Sequence, residues 1–356
     1  MRVGIFDPYL DDLGGGEKYM MTIAQCLSEN HSVDLFWDNE KDLNALTKRF
    51  PLDLSKVKLV QNIFNSQTST FRRLIQTRKY DAIIFLSDGS IPLVLSKKLF
   101  VHIQQPLKIM QTNSFLDKLK IARVSRFFCN SEYTKSFIDK KFHLKSVILY
   151  PPVPVYPKDV KKENIILHVG RFRVRNVKND DYKKQGVMID AFKAMVNKGL
   201  KEWRFVLAVS IQEKDKQAFE TMQRKAEGFP IEFLVNKSND QLWDIYSKAK
   251  IYWHASGFGE NLENNPEFAE HFGISTVEAM GAGAVPVVIN AGGQKEIVVE
   301  GKNGFLWNSI EELQVKTLKL IKDELLLTKL SKQAKESAKE FSAEKFYQAV
   351  NNLISG

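Results

Sequence analysis

The sequence predicts an α/β protein of two doubly wound, parallel-sheet domains that face each other across a cleft. Short, nearly continuous apolar runs alternate with helical segments along the first half of the chain, and after a proline-rich interruption the alternation restarts. Strands buried on both faces read this way in parallel sheets. A length of 356 residues also exceeds what one core usually fills. Ligands of open α/β sheets bind beyond the carboxyl ends of the strands, so the cleft is the natural site.

In chain order, "RVGIFD" reads as a strand, Gly14-Gly15-Gly16 as a turn and "EKYMMTIAQCLSEN" as a helix. "SVDLFW", "VKLVQ", "DAIIFLS", "LFVHI" and "RFFCNS" follow as strands between helical or loop segments. In "LYPPVPVYPKD", Pro151, Pro152, Pro154 and Pro157 exclude a helix or a central strand and mark a semi-rigid linker. The boundary is placed there: a first domain over 1–152, a second over 153–336, and a helical tail over 337–356 expected to return to the first domain. Beyond the linker, "NIILHVG", "RFVLAVS", "IEFLV", "KIYWHAS" and "AVPVVI" read as strands. "GVMIDAFKAMVNKG", "KQAFETMQRKAEG" and "DQLWDIYSKA" read as helices, and "GGQKEIVVEGKNGFLW" leads to two lysine-rich helices at the C-terminus.

Composition narrows the partners. A net charge of +10 calls for anionic ligands, yet the lysines are spread along the chain with no reader motif or basic-aromatic stripe, which argues against nucleic acid. No apolar run approaches the roughly 18 residues of a membrane span, and "MRVGIFDPYL" lacks the apolar core of a signal peptide. Cys26 and Cys129 form no metal or disulfide pattern, so a reducing, cytoplasmic location is expected.

Four places could carry chemistry. "DPYLDDLGGGEKYM" follows a strand and opens a helix, so its backbone N–H groups suit a phosphate or sugar oxygen, or the glycines simply make a tight turn. It is not G-x-G-x-x-G, and only Asp38 is a loose match for a ribose-binding acid. In "FVHIQQP", His102 ends a strand as either a ligand to substrate or a buried, satisfied imidazole. In "HVGRFRVRNVKNDDYKKQGVMIDAF", Arg171 ends a strand and Lys183 and Lys184 precede a helix, a set suited to clamping a diphosphate or to a solvated basic loop. In "EHFGISTVEAMGAGAVPVVI", a helix beginning near Ile274 would aim its first N–H groups at an anion. Glu270 then lies just ahead of it and Glu278 one turn inside, where an acceptor-only carboxylate suits a ribose diol. A sugar, a diphosphate and a ribose together describe a nucleotide-sugar.

These motifs resemble the GT-B-fold retaining glycosyltransferases of family 4, the E-x7-E type of group 1. "GGGEKYM", "HIQQP", "YPPV", "VGRF…KKQGVMIDAF" and "EHFGISTVEAMGAGAVPVVINAGGQKEIV" appear in the family's order over nearly the whole chain. The resemblance implies two Rossmann-like domains, with the acceptor on the first and the nucleotide-sugar on the second. Arg171 and Lys183 would hold the donor diphosphate; Lys183 fits the family's spacing to Ala191-Phe192 better than Lys184 does. Glu270 would contact the transferred sugar, Glu278 the ribose, and Phe272, Gly273, Ile274 and Ser275 the sugar and phosphates. Gly14 to Gly16 would line the cleft from the first domain, Gly15 and Gly16 contacting the donor, and His102 would lie near the transferred sugar as a catalytic residue.

The family generally needs no metal, and Asp11-Asp12 and Asp180-Asp181 read as solvated loop acids. The expected activity is transfer to a hydroxyl of a glycan or lipid-linked glycan. A sugar-nucleotide epimerase and a non-catalytic binding subunit remain alternatives. "PLKIMQTNSFLDKLKIARVSRFF" places Ile109, Met110, Phe115, Leu116 and Leu119 among Lys108, Lys118, Lys120, Arg123 and Arg126. It reads as a core-facing amphipathic helix, with peripheral contact to an anionic membrane as the other reading. The "HASGFGENLENNPEFAE" segment is an extended insertion that could carry acceptor or subunit contacts.

Overall fold

The computed structural model describes residues 1–12, 14–110, 114–174 and 181–356. It contains two compact units, Met1–Pro152 together with Ala343–Gly356, and Val153–Ser342.

The first unit is a seven-stranded parallel sheet. Its elements are β1 (Arg2–Phe6), α1 (Gly15–Ser28), β2 (Ser32–Phe36), α2 (Glu40–Arg49), β3 (Val57–Val60), α3 (Thr70–Thr77), β4 (Ala82–Leu86), β5 (Lys98–Ile103), α4 (Phe115–Ala122), β6 (Arg126–Cys129), α5 (Glu132–Phe142) and β7 (Ser146–Ile148). The strand order is β3-β2-β1-β4-β5-β6-β7. β7 was not expected: it is three residues long and runs directly into the prolines, so it carries almost no pattern. It pairs with β6 from Phe127 to Cys129. Gly15 and Gly16, expected in a turn, are the first helical residues of α1, with Gly14 as its N-cap. Glu17 makes this possible by accepting the Gly14 N–H at 2.5 Å through its carboxylate. A side chain at Gly16 would have to displace the end of the Gln104 side chain.

The second unit is a six-stranded parallel sheet. It runs β8 (Glu163–Arg171), α6 (Gln185–Asn197), β9 (Arg204–Ser210), α7 (Lys216–Ala226), β10 (Ile231–Val235), α8 (Asn239–Lys248), β11 (Ala249–His254), α9 (Ile274–Gly281), β12 (Val285–Ile289), α10 (Gln294–Ile297), β13 (Phe305–Trp307), α11 (Ile310–Lys322) and α12 (Glu324–Ala338). The strand order is β10-β9-β8-β11-β12-β13. The Phe192, Phe205 and Trp253 rings meet in its core, with centroids 5.3 to 6.4 Å apart.

Three helices, not two, close the chain. α12 stays in the second unit, which continues past the expected end at 336 to Ser342. Phe341 anchors that end: its ring packs on Phe272 at 5.2 Å and its carbonyl accepts the Val153 N–H at 2.7 Å. α13 (Ala343–Ser355) belongs to the first unit. There Phe346 meets Tyr19 edge-on, and Gln25 of α1 donates to the Tyr347 hydroxyl at 2.7 Å.

Candidate functional site

In the second unit the strand order reverses between β8 and β11, which lie side by side with Ile166 opposite Ile251 and Leu167 opposite Tyr252. Such a switch point opens a crevice beyond the strands' carboxyl ends. Arg171 is the last residue of β8 and His254 the last of β11. Arg171 is exposed, and its guanidinium forms no ion pair among the described residues.

Lys183 and Lys184 diverge at the start of α6. Lys184 is the N-cap and adopts φ 56°, ψ 37°, a left-handed conformation unusual for a non-glycine residue. The twist sends the two side chains apart. Lys184 is buried and pairs with Glu260 at 2.6 Å, tying the 257–269 insertion to the helix. Lys183 reaches Glu270, with 2.5 Å between Nζ and Oε2. Asp181 is not solvated as expected; it is buried, and its two oxygens accept the Gln185 and Gly186 N–H groups at 2.7 and 3.1 Å, capping α6. Asp180 lies outside the described residues, whereas Asp11 and Asp12 are exposed.

Glu270 is the centre of this cluster. His254 Nε2 approaches the same carboxylate oxygen, Oε2, at 2.8 Å, and Oε1 has no protein partner among the described residues. Burial pushes the Glu270 carboxyl up, but Lys183's charge and His254's hydrogen bond outweigh it and hold it well below the ordinary carboxylate range. His254 is itself pushed down by burial. Its Nδ1 accepts the Ser256 N–H at 3.4 Å, so the proton sits on Nε2 and the neutral ring donates to Glu270. Behind it, burial lowers His168 to about 3; its Nδ1 faces the Trp253 carbonyl at 3.0 Å.

The loop after Glu270 is shaped by glycine. Gly273 caps α9 at φ 122°, ψ 53°, and a side chain there would also strike Gln294. Gly292 and Gly293 pass so close to residues 269–272 that side chains at either would hit backbone, and the Gly293 N–H donates to the Glu270 carbonyl at 2.8 Å. Thr276 and Val277 donate to the Gly273 carbonyl. The Ile274 and Ser275 amides are left pointing out of the helix's positive end, as the geometry of a first turn requires. One turn on, the Tyr246 hydroxyl donates to Glu278 Oε2 at 2.8 Å, and Tyr252 donates to Ser275 Oγ at 2.8 Å. Phe272 is buried beneath the loop.

The structure therefore gathers Arg171, Lys183, Glu270, Gly273, Ile274, Ser275 and Glu278 at one end of one sheet. Sequence reasoning missed His254, Tyr246 and Gln294. The signal for His254, a polar residue closing an apolar strand at the carboxyl edge, was present in "KIYWHAS" and went unused. Among the described residues, no group of three or more His, Cys, Asp or Glu is arranged to hold a metal ion.

In the first unit, His102 sits near the end of β5, fully buried between the Tyr19 and Phe128 rings, each 4.7 Å away. Burial lowers it to about 3; Nδ1 faces the Phe128 carbonyl at 3.2 Å, and Nε2 has no partner among the described residues. Asp38 accepts the Asn62 N–H at 2.8 Å. Cys26 and Cys129 are buried free thiols.

The core-facing reading of the α4 segment is corrected. Met110 is buried, but Ile109, Phe115, Leu116 and Leu119 are 82%, 75%, 63% and 47% exposed. α3 adds Phe71 and Ile75 at 73% and 57%. The two helices adjoin one segment: the Leu95 N–H donates to Thr77 at the end of α3 (3.0 Å), and Arg123 at the end of α4 donates to the Ser96 carbonyl (2.8 Å). Arg72, Arg78, Lys97, Lys118 and Arg123 are interspersed with these apolar side chains. No described helix is long and apolar enough to cross a membrane.

The model of the glycosyl transferases group 1 family matches residues 157–340, just over half of the chain and nearly all of the second unit. A GDP-Man:Man(3)GlcNAc(2)-PP-Dol alpha-1,2-mannosyltransferase of Dictyostelium discoideum is 26% identical over 221 residues, covering 58% of this chain but only 41% of that protein. An alpha-1,3/1,6-mannosyltransferase ALG2 of the same organism is 24% identical, over 99% of this chain and 98% of its own length. Among solved structures, Anabaena HepE in complex with UDP superposes with a TM-score of 0.72 at 17% identity, covering 100% of both chains. A Rickettsia africae glycosyltransferase does so with 0.74 at 14% identity, covering 99% and 97%. The two parallel-sheet units thus have the GT-B fold of these neighbours.

Proposed function

The chain belongs to the glycosyl transferases group 1 family, and from that premise we propose that it carries a sugar from a nucleotide-diphosphate donor to an acceptor hydroxyl on a glycan or lipid-linked glycan. Transfer proceeds with retention, as in family 4, and without a metal ion. The observation that carries this reading is the convergence of Lys183 and His254 on Glu270 Oε2, directly ahead of the glycine-started helix α9.

Each residue has a defined task. The diphosphate lies against the Ile274 and Ser275 amides and takes charge-assisted hydrogen bonds from Arg171 and Lys183. Glu278, oriented by Tyr246, accepts from the ribose hydroxyls. Glu270 turns Oε1 toward the sugar and stabilises positive charge developing at its anomeric carbon. The bond from that carbon to the diphosphate oxygen breaks while the acceptor oxygen bonds on the same face. The acceptor's proton passes to the departing phosphate. Gly15, Gly16 and His102 belong to the first unit, which the family resemblance makes the acceptor-bearing domain, and His102 is buried and neutral there.

The mannosyltransferase relatives support GDP-mannose as the first donor to test, and the UDP-bound HepE supports UDP-glucose as the second. The protein works in the cytoplasm, where α3 and α4 rest peripherally on the inner, anionic face of a membrane that supplies a lipid-linked acceptor. A thermal-shift screen against nucleotide-sugars tests donor recognition, because a ligand bound only by the folded state raises stability by mass action. Stabilisation by a nucleotide-sugar supports the reading, and no response to any member of the panel contradicts it. Product analysis separates transfer from epimerisation, which would alter the sugar without moving it.

A further inference from the structure

Two donors converge on one carboxylate oxygen of Glu270, and they differ in kind. Lys183 carries its ammonium on a flexible four-carbon stem, and its side chain is 24% exposed. His254 is 1% exposed and fixed on a central strand between β8 and β12. Its ring is held on the far side by the Ser256 N–H at 3.4 Å, which leaves Nε2 as the protonated nitrogen. In the proposed reaction the donor diphosphate competes for Lys183. Whatever then keeps Glu270 aimed must offer a hydrogen bond without offering a charge that would also be drawn to phosphate. A neutral imidazole does this.

From this geometry we infer that His254 is a positioning residue: it holds Glu270 through Oε2 when the diphosphate takes Lys183, keeping Oε1 turned toward the donor sugar. The inference rests on the proposed sugar transfer, and it assigns a task to a residue outside the family motifs. The titratable and charged groups facing Glu270 are Lys183 from the segment before α6, His254 and Tyr252 from β11, His168 from β8 and the neighbouring His271. Burial disfavours charge on all three histidines, so with Lys183 engaged elsewhere the imidazole N–H is, among the described residues, the remaining side-chain donor to Glu270.

Two variants and one ligand-free measurement test this. With GDP-mannose, or with UDP-glucose if that is the donor turned over, His254→Ala should lower kcat by about 10- to 100-fold, the range for losing a hydrogen bond to a charged group, while donor KM changes little. The acid limb of the kcat profile should move up in pH, because Glu270 loses the partner that keeps it ionised. His254→Asn, which retains an N–H donor, should recover part of kcat and return the limb toward its original position. Equal effects of Ala and Asn, or a change confined to KM, would overturn the inference. Imidazole 15N shifts of the ligand-free protein should show His254 neutral with Nε2 protonated near neutral pH, and an imidazolium or an Nδ1-protonated ring would also overturn it. If the wild-type protein turns over no nucleotide-sugar, the sugar-transfer reading fails; if Glu270→Gln and Lys183→Ala leave turnover intact, the placement of the site at Glu270 fails and the inference with it. If those two abolish turnover and His254→Ala does not, only the positioning role fails.

Discussion

Lys183 and Glu270 lie 87 positions apart in sequence, yet Nζ and Oε2 are 2.5 Å apart. The pair bridges the segment entering α6 and the loop entering α9, two of the strand-to-helix connections at the carboxyl edge of this sheet. Neither residue is fully buried: their side chains are 24% and 19% exposed. A ligand can therefore part them without unfolding either helix.

Lys183→Ala should reduce turnover by about 10²–10³-fold, the usual cost of removing a group that stabilises developing charge. The same substitution should change acid stability. Glu270's folded value is depressed, because Lys183 and His254 outweigh a burial effect that would raise it. Its contribution is present above the ordinary value of 4.5 and is lost as pH falls through the depressed one. Without Lys183 the folded value rises toward or past 4.5, so the window closes and less of this stability is left to lose on acidification. Thermal midpoints recorded from about pH 6 down to about pH 3 should fall less steeply in the variant, and superimposable acid limbs would count against the pairing.

Gly273→Ala should cost about 1–3 kcal/mol of stability, because φ 122° is reached at ease only by glycine and the added methyl meets Gln294. Urea unfolding measures this. Donor-induced stabilisation should fall as well, since the substitution shifts the Ile274 and Ser275 amides.

Asp7, at the end of β1, offers a pH-dependent test in the first unit. Burial raises it to about 7, opposed by the Tyr9 N–H, and its Oδ2 has no partner among the described residues. A raised carboxyl is a liability wherever the unfolded chain is ionised, so its penalty grows from the ordinary 3.8 up to about 7 and stays in full above that. Asp7→Asn should therefore raise the unfolding midpoint more at about pH 8 than at about pH 5. A gain that is larger at the lower pH would reverse the sign.

The α3–α4 surface makes a prediction about membranes. Phe71→Ser combined with Leu116→Ser should weaken co-sedimentation with anionic vesicles by about tenfold or more, from the lost apolar insertion. Raised salt should weaken wild-type binding by screening the arginines and lysines. Binding that is equal for neutral vesicles, or unchanged in the double variant, would remove the membrane role. Concentration-dependent self-association through Phe71 and Leu116 would assign the surface to a second copy instead.

How far the sequence reached follows from what local pattern can encode. Alternating apolar runs identified most strands, because parallel strands buried on both faces leave an unbroken signature; β7, three residues against a proline run, left none. The helix at Ile274 was legible because a glycine unfit for its interior stands immediately before it. The pairing of Lys183 rather than Lys184 with Glu270 depends on a left-handed Lys184, a backbone choice that no residue type at that position announces. His254 was overlooked because its meaning lies in a contact 16 positions away. α4 was assigned to the core because periodicity reveals an apolar face and says nothing about what covers it.

The most direct test of the account is transfer itself: purified protein, GDP-mannose or UDP-glucose, a lipid-linked glycan acceptor, and determination of the anomeric configuration of the product. The account predicts a new glycosidic bond with the donor's configuration kept, and loss of product in Arg171→Ala and Glu270→Ala. Product with inverted configuration, or undiminished product from both variants, would contradict it.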